Sequence, residues 1–202
     1  WHAIIIVMMA DIHLVTSFED MSSELYNRYI FPNVELCSKH VLGHNYKLLY
    51  YTPTSKTDLE TLHLFQLNQE ANYLAAFTSP EPLTKEAYIN KYTPFLSNPT
   101  IHMCTIWIEN QIVGSIAKYE TDNQAEITYW IDHAFWGRGI ATNALQEFLK
   151  LELMRPIYGR VAFDNIGSQK VLEYCGFKKI GIDTGFAKAR NEEIEEYIYI
   201  RE

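Results

Sequence analysis

Alternation with a period of two governs the middle of this chain and leaves little freedom in what it can build. Cys104, Ile106 and Ile108 alternate with Thr105, Trp107 and Glu109, and after the turn Asn110-Gln111 the pattern returns through Ile112 to Tyr119. A polar turn, Thr121 to Gln124, leads into a third run, in which Ile127, Tyr129 and Ile131 oppose Glu126, Thr128 and Trp130. Successive strand side chains point to opposite faces, so runs of this kind joined by short polar turns form an antiparallel meander. Before Pro99 the spacing is helical. Thr57 and Glu60 stand as a capping-box pair around Leu59, Leu62, Leu64, Phe65 and Leu67, and Asn68 to Leu74 prolongs or follows that helix. Pro80 and Pro82 break the chain, and Thr84 is placed to cap a second helix ending near Tyr92. A short apolar strand, Tyr46 to Tyr51, precedes both helices.

The last strand of the meander runs through His133-Ala134-Phe135-Trp136 into Gly137-Arg138-Gly139-Ile140-Ala141, where a helix opens and continues to about Leu153. Ile140, Ala144, Leu145, Phe148 and Leu149 recur at helical spacing and mark its apolar side. A strand, a glycine turn and a helix start make an anion site. The first N–H groups of a helix have no intrahelical partner and carry the positive end of its dipole. Arg138 adds a fork of donors. A further strand, Ile157 to Phe163, ends in Asp164-Asn165-Ile166-Gly167-Ser168. A short helix then turns Val171, Leu172 and Cys175 inward and stops at Gly176, which suits the left-handed position after a helix. Lys178 to Ala187 and Ile194 to Ile200 read as a closing hairpin. The whole is an α+β fold with helices on a central sheet, a three-layer arrangement.

Seventeen Lys and Arg against 25 Asp and Glu leave a net charge of -8, which excludes binding through broad neutralisation of nucleic-acid phosphates. Three widely spaced cysteines, Cys37, Cys104 and Cys175, make no disulfide framework and suit a reducing compartment. The longest apolar run, Ala3 to Ala10, falls far short of the roughly 20 residues of a membrane span, so the chain reads as soluble and cytoplasmic. Residues 1–45 carry no clear pattern and read as an N-terminal extension of unassigned role, opening at Trp1 as a remnant or fragment edge would. Within them Cys37, His40 and His44 have the spacing of metal ligands. A fourth ligand is absent and Gly43 weakens a helix there, so no metal site is assigned.

The order of elements, with WGRGIA opening the long helix and N-x-x-S-x-x-V-L-E-x-C-G-F spanning Asn165 to Phe177, resembles the GNAT superfamily of acetyl-CoA-dependent N-acetyltransferases. AEITYWID and VLEYCGF resemble its ribosomal-protein N-terminal acetyltransferase (Rim) branch. The resemblance covers residues 46–202. It implies a mixed, mostly antiparallel sheet of about six to seven strands, in which Glu126–Asp132 and Ile157–Phe163 splay apart. Acetyl-CoA is the implied co-substrate, its pantetheine arm pairing with main chain at Trp130 and Ile131. Its diphosphate would rest on the turn Trp136, Gly137, Arg138, Gly139, Ile140, Ala141 and Thr142. Asn165 matches the family residue that touches the pantetheine arm.

For the chemistry, the resemblance implies that Glu126 takes the proton of a primary amine directly or through water. A backbone N–H near Ile131 would meet the thioester oxygen. Many relatives place a Tyr seven residues after the Asn; here that residue is Leu172, and Ser168 is the group left to hydrogen-bond the departing sulfur. Tyr174, two residues on, is turned away from that direction. The acceptor, a protein N-terminus or a small-molecule amine, would lie between the first helices and the closing hairpin, near Tyr73, Phe77, Tyr88, Phe186 and Glu192 to Glu196. The protein is expected to act as a monomer or homodimer. Two rival readings remain open. A dinucleotide-dependent oxidoreductase would use Gly137, Gly139 and Asp164, but Thr142 replaces the third glycine and the preceding strands form a meander. A catalytically inert acyl-CoA sensor would keep the cofactor site alone.

Overall fold

Strand pairing in the computed structural model joins every described strand into one mixed sheet; the structure describes residues 49–121 and 124–202 and the backbone of 39–40. Expectations for the N-terminal extension, including Cys37, His40 and His44 as a group, lie outside the described residues. The strands are β1 (Lys39–His40), β2 (Leu49–Pro53), β3 (His102–Ile108), β4 (Gln111–Thr121), β5 (Gln124–Ile131), β6 (Ile157–Ala162), β7 (Lys178–Ala187) and β8 (Glu192–Arg201). Their order is β1-β2-β3-β4-β5-β6-β8-β7. The two-residue β1 extends the expected six or seven strands to eight. All neighbours are antiparallel except β5 and β6.

Among the described residues five α-helices cover the sheet: α1 (Asp58–Phe65), α2 (Gln69–Ala75), α3 (Lys85–Tyr92), α4 (Ile140–Leu151) and α5 (Ile166–Tyr174). Adjacent residues of β4 show how the layers divide. Ile112 packs with Leu59 and Leu62 of α1 and Tyr88 of α3. Val113, on the other face, belongs to the main core with Ile140, Leu145 and Phe148 of α4 and Leu172 of α5. Leu145 and Ala144 are fully buried, so the apolar side expected for α4 is the side that meets the sheet.

Two local expectations are corrected. Among the described residues before β3 there are three α-helices where two were expected: α1 ends at Phe65, and Asn68 caps α2, its Oδ1 accepting the Ala71 N–H at 2.8 Å. The capping box of α1 is Ser55–Asp58 instead of Thr57–Glu60. Asp58 Oδ2 accepts the Ser55 N–H at 2.9 Å, and Ser55 Oγ accepts the Asp58 N–H at 3.3 Å. Asp58 wins because it is buried and also accepts from Thr105 Oγ1 at 3.0 Å, which ties α1 to β3. Glu60 faces solvent and pairs with Lys85. Thr84 caps α3 as expected, accepting the Ala87 N–H at 3.2 Å. No helix among the described residues is long and apolar enough to cross a membrane.

Candidate active site

β5 and β6 pair at only two positions, Ala125↔Ile157 and Glu126↔Tyr158. Beyond them β5 stays with β4 as far as Gly114↔Ile131, while β6 follows β8 to Ala162↔Glu196. The sheet therefore parts from Ile127 onward. A cleft of about 700 Å³ fills the gap, walled by Tyr129 to Ile131, residues 135–142, the start of α5, and Glu70, Ala71 and Leu74 of α2.

The direction of the backbone decides which groups face the gap. The Asp132 N–H donates to Val113 O at 2.9 Å, toward β4. Alternate residues in a strand present their N–H and C=O to opposite neighbours, so Trp130 also faces β4 while Tyr129 and Ile131 face the gap. The slot-facing main chain is thus that of Tyr129 and Ile131, which displaces the expected Trp130 by one residue. Ile131 O already accepts the indole Nε1–H of Trp136 at 2.8 Å. Trp136 thereby pins the end of β5, with its ring 4.7 Å from that of His133.

At the rim Gly137 and Gly139 have φ of 70° and 74°, a conformation costly for any residue with a Cβ. A Cβ on Gly137 would meet nothing within 4 Å, so backbone conformation, and no steric limit, requires glycine there. Gly139 O accepts the first helical bond of α4, from Asn143 N–H at 3.0 Å. The N–H groups of Ile140, Ala141 and Thr142 are therefore first-turn donors without an intrahelical acceptor. This cradle fits a diphosphate. Arg138 is partly engaged elsewhere: its Nη2 donates to Ala134 O at 2.8 Å and its guanidinium lies 5.1 Å from the Phe135 ring.

On the opposite wall Asn165 caps α5, its Oδ1 accepting the Ser168 N–H at 3.1 Å, and its Nδ2 donates to Leu74 O of α2 at 3.1 Å. Ser168 Oγ lies 2.6 Å from Tyr129 Oη. Glu126 sits at the apex, at the last paired position, on the face away from α4. Tyr119 Oη donates to its Oε2 at 2.8 Å and Arg160 Nε lies 3.8 Å from its Oε1. Arg160 also reaches Glu196 at 3.1 Å and Asp183 at 3.3 Å. Burial pushes the Glu196 carboxyl above the usual carboxylate value, and Arg160 opposes that shift. Glu126 does not line the cleft itself.

The sequence pattern of the acetyltransferase (GNAT) domain matches residues 48–178. The chain belongs to the GNAT acetyltransferase family. No curated protein matches the sequence significantly. Among solved structures, RimL, a ribosomal L7/L12 α-N-protein acetyltransferase in complex with coenzyme A, is similar at 19% identity and a TM-score of 0.67, over 76% of this chain and 93% of that one. A ribosomal-protein-S5-alanine acetyltransferase from Vibrio fischeri is similar at 15% identity and a TM-score of 0.64, over 81% and 96%. A spermidine N-acetyltransferase from Vibrio cholerae, with CoA and spermine, is similar at 18% identity and a TM-score of 0.62, over 75% and 95%. The GNAT chain described here is an acyltransferase, with acetyl-CoA as its co-substrate.

In this GNAT domain sequence reasoning overlooked two groups that border the cleft, Tyr129 and Glu70, and one, Arg190, that braces its wall through Asp164. Tyr129 is an ordinary inward residue of an alternating strand until its hydroxyl is seen beside Ser168. Glu70 of α2 lines the mouth and pairs with His133 at 3.1 Å. Arg190 comes from the β7–β8 turn, with its side chain 2% exposed, and grips Asp164 through Nη1 and Nη2 at 2.8 Å each. Its Nε donates to Tyr73 O at 2.7 Å, over the Tyr73 ring. No local signal marks any of these contacts, which join segments far apart in the chain. Tyr88, expected at the acceptor, is instead buried between α1 and α3 because both helices need its ring to close their core. Phe77 packs beside Gly185 and Ile194.

Arg190→Met should lower stability by about 2 kcal/mol, less than the full loss of a buried pair because Asp164 is 31% exposed. Urea unfolding checks the stability. The same change removes the Arg190 tie between α2 and the α5 turn and leaves only Asn165 Nδ2 to Leu74 O, so the KM for acetyl-CoA should rise several-fold.

Proposed function

We propose that this GNAT enzyme transfers the acetyl group of acetyl-CoA to a primary amine, a protein N-terminus or a small-molecule amine, by direct attack within a ternary complex. The observation that carries the proposal is the two-pair contact between β5 and β6, which opens onto the unpaired amides of α4. The amides from Arg138 to Thr142 hold the diphosphate, and the slot-facing main chain of Tyr129 and Ile131 pairs with the pantetheine arm. Asn165 orders the wall beside that arm while fastening α2. Bound acetyl-CoA supplies an activated acyl carbon and a thiolate leaving group.

Glu126, at the apex, takes the proton of the attacking amine through a water molecule. Tyr119 and Arg160 keep its carboxylate oriented. Ser168 donates a hydrogen bond to the sulfur. The slot-facing amide of Tyr129, nearer the apex than that of Ile131, polarises the acyl oxygen. The named acceptors of RimL and of the spermidine enzyme support a cationic amine as substrate, and Glu126, Asp183 and Glu196 outnumber Arg160 on that face.

Ligand protection followed by a thiol-release screen tests the reading. Acetyl-CoA should raise Tm in thermal unfolding, while NAD and NADP should leave it unchanged. Thiol release from acetyl-CoA should then accelerate with at least one member of a panel holding peptides with free N-termini, polyamines, amino sugars and amino acids. Protection by acetyl-CoA with no turnover on any of these amines would favour the inert sensor.

A further inference from the structure

Leu172 occupies the position where many relatives carry a tyrosine, and here it serves packing alone. It is 2% exposed, and a Cβ on Gly159 would come within 2.9 Å of its Cδ2. Hydroxyls on the cleft wall must therefore come from elsewhere. Among the described residues that line the cleft they belong to Tyr129, Thr142, Ser168 and Tyr174. Tyr174 is 74% exposed at the rim and Thr142 lies in the first turn of α4. Tyr129 and Ser168 face each other from opposite walls, 2.6 Å apart.

The phenol carries one proton and has two acceptors within reach, Ser168 O at 3.2 Å and Ser168 Oγ at 2.6 Å. The shorter contact makes Ser168 Oγ the better acceptor of the phenol's proton. Burial holds the Tyr129 phenol well above its ordinary value, so it stays protonated. We propose that Tyr129 is a positioning residue, whose phenol donates to Ser168 Oγ and so leaves the Ser168 proton aimed into the gap, toward the sulfur. This rests on the acetyl-CoA reading above. During transfer the amine nitrogen bonds to the acyl carbon, and the C–S bond breaks with its electron pair on sulfur. The nitrogen's proton goes to Glu126. Ser168 contributes a hydrogen bond to the thiolate and gives up no proton. Tyr129 is too weak an acid to give up one either.

The test compares CoA with desulfo-CoA at alkaline pH, where the free thiol is ionised, by calorimetry on the full chain. The wild type should bind CoA more tightly than desulfo-CoA. Tyr129→Phe and Ser168→Ala should each erode that preference about tenfold, the size of one hydrogen bond to a charged group. Desulfo-CoA affinity should stay unchanged in both. Ser168→Thr should restore the preference, and the double variant Tyr129→Phe/Ser168→Ala should be no worse than Ser168→Ala. A preference intact in Tyr129→Phe overturns the proposal, as does an equal loss of both ligands, which would leave Tyr129 only shaping the wall. If the wild type bound neither ligand, the acetyl-CoA reading itself would fall and take this one with it.

Discussion

Gly139→Val is expected to weaken acetyl-CoA binding about 100-fold and to lower stability by about 2 kcal/mol. The stability loss comes from forcing a β-branched residue into a φ of 74°, which L-residues adopt only at a cost of about 1–3 kcal/mol. The binding loss comes from relief of that strain. If the turn relaxes, the N–H groups of Ile140, Ala141 and Thr142 no longer converge, and losing two such bonds to an anion accounts for the factor. Gly139→Asn should be much milder, because asparagine tolerates the left-handed region. Calorimetry with acetyl-CoA and urea unfolding on both variants separate the two effects. Wild-type affinity in Gly139→Val would show that the diphosphate lies elsewhere.

Glu126→Gln should reduce turnover by about 100-fold or more, with the affinity for acetyl-CoA unchanged, as the removal of a general base does. The fold should tolerate the change. The glutamine Oε1 can still accept from Tyr119, and Arg160 keeps Glu196 and Asp183 as partners. Thiol release with the best amine from the screen measures turnover, and calorimetry measures affinity. Unimpaired turnover in Glu126→Gln would remove it as the base and leave the proton to solvent.

These expectations draw unequally on sequence and structure. The glycine turn was legible because its signal is local: a strand, two glycines and an amphipathic helix within 30 residues. Asn165 was singled out only through the family resemblance, and its cap on α5 emerged from the structure. Thr57 misled because an equally local alternative, Ser55 with Asp58, lies beside it. Only the buried contact of Asp58 with Thr105, 47 residues away, decides between the two. Trp130 was placed one residue from the slot-facing main chain, since alternation tells which residues share a face but not which neighbour each backbone group addresses.

Sequence by itself determined the element order, the buried side of α4, the turn that aims its amides, and the family to which these belong. Tertiary structure alone decided that β6 takes β8 as its other neighbour, that Tyr129 meets Ser168 across 39 residues, and that Arg190 reaches Asp164 and Tyr73. The physical reason is range. Periodicity and capping are properties of a few adjacent residues, whereas the choice of strand partner and the meeting of distant polar groups depend on how whole layers pack.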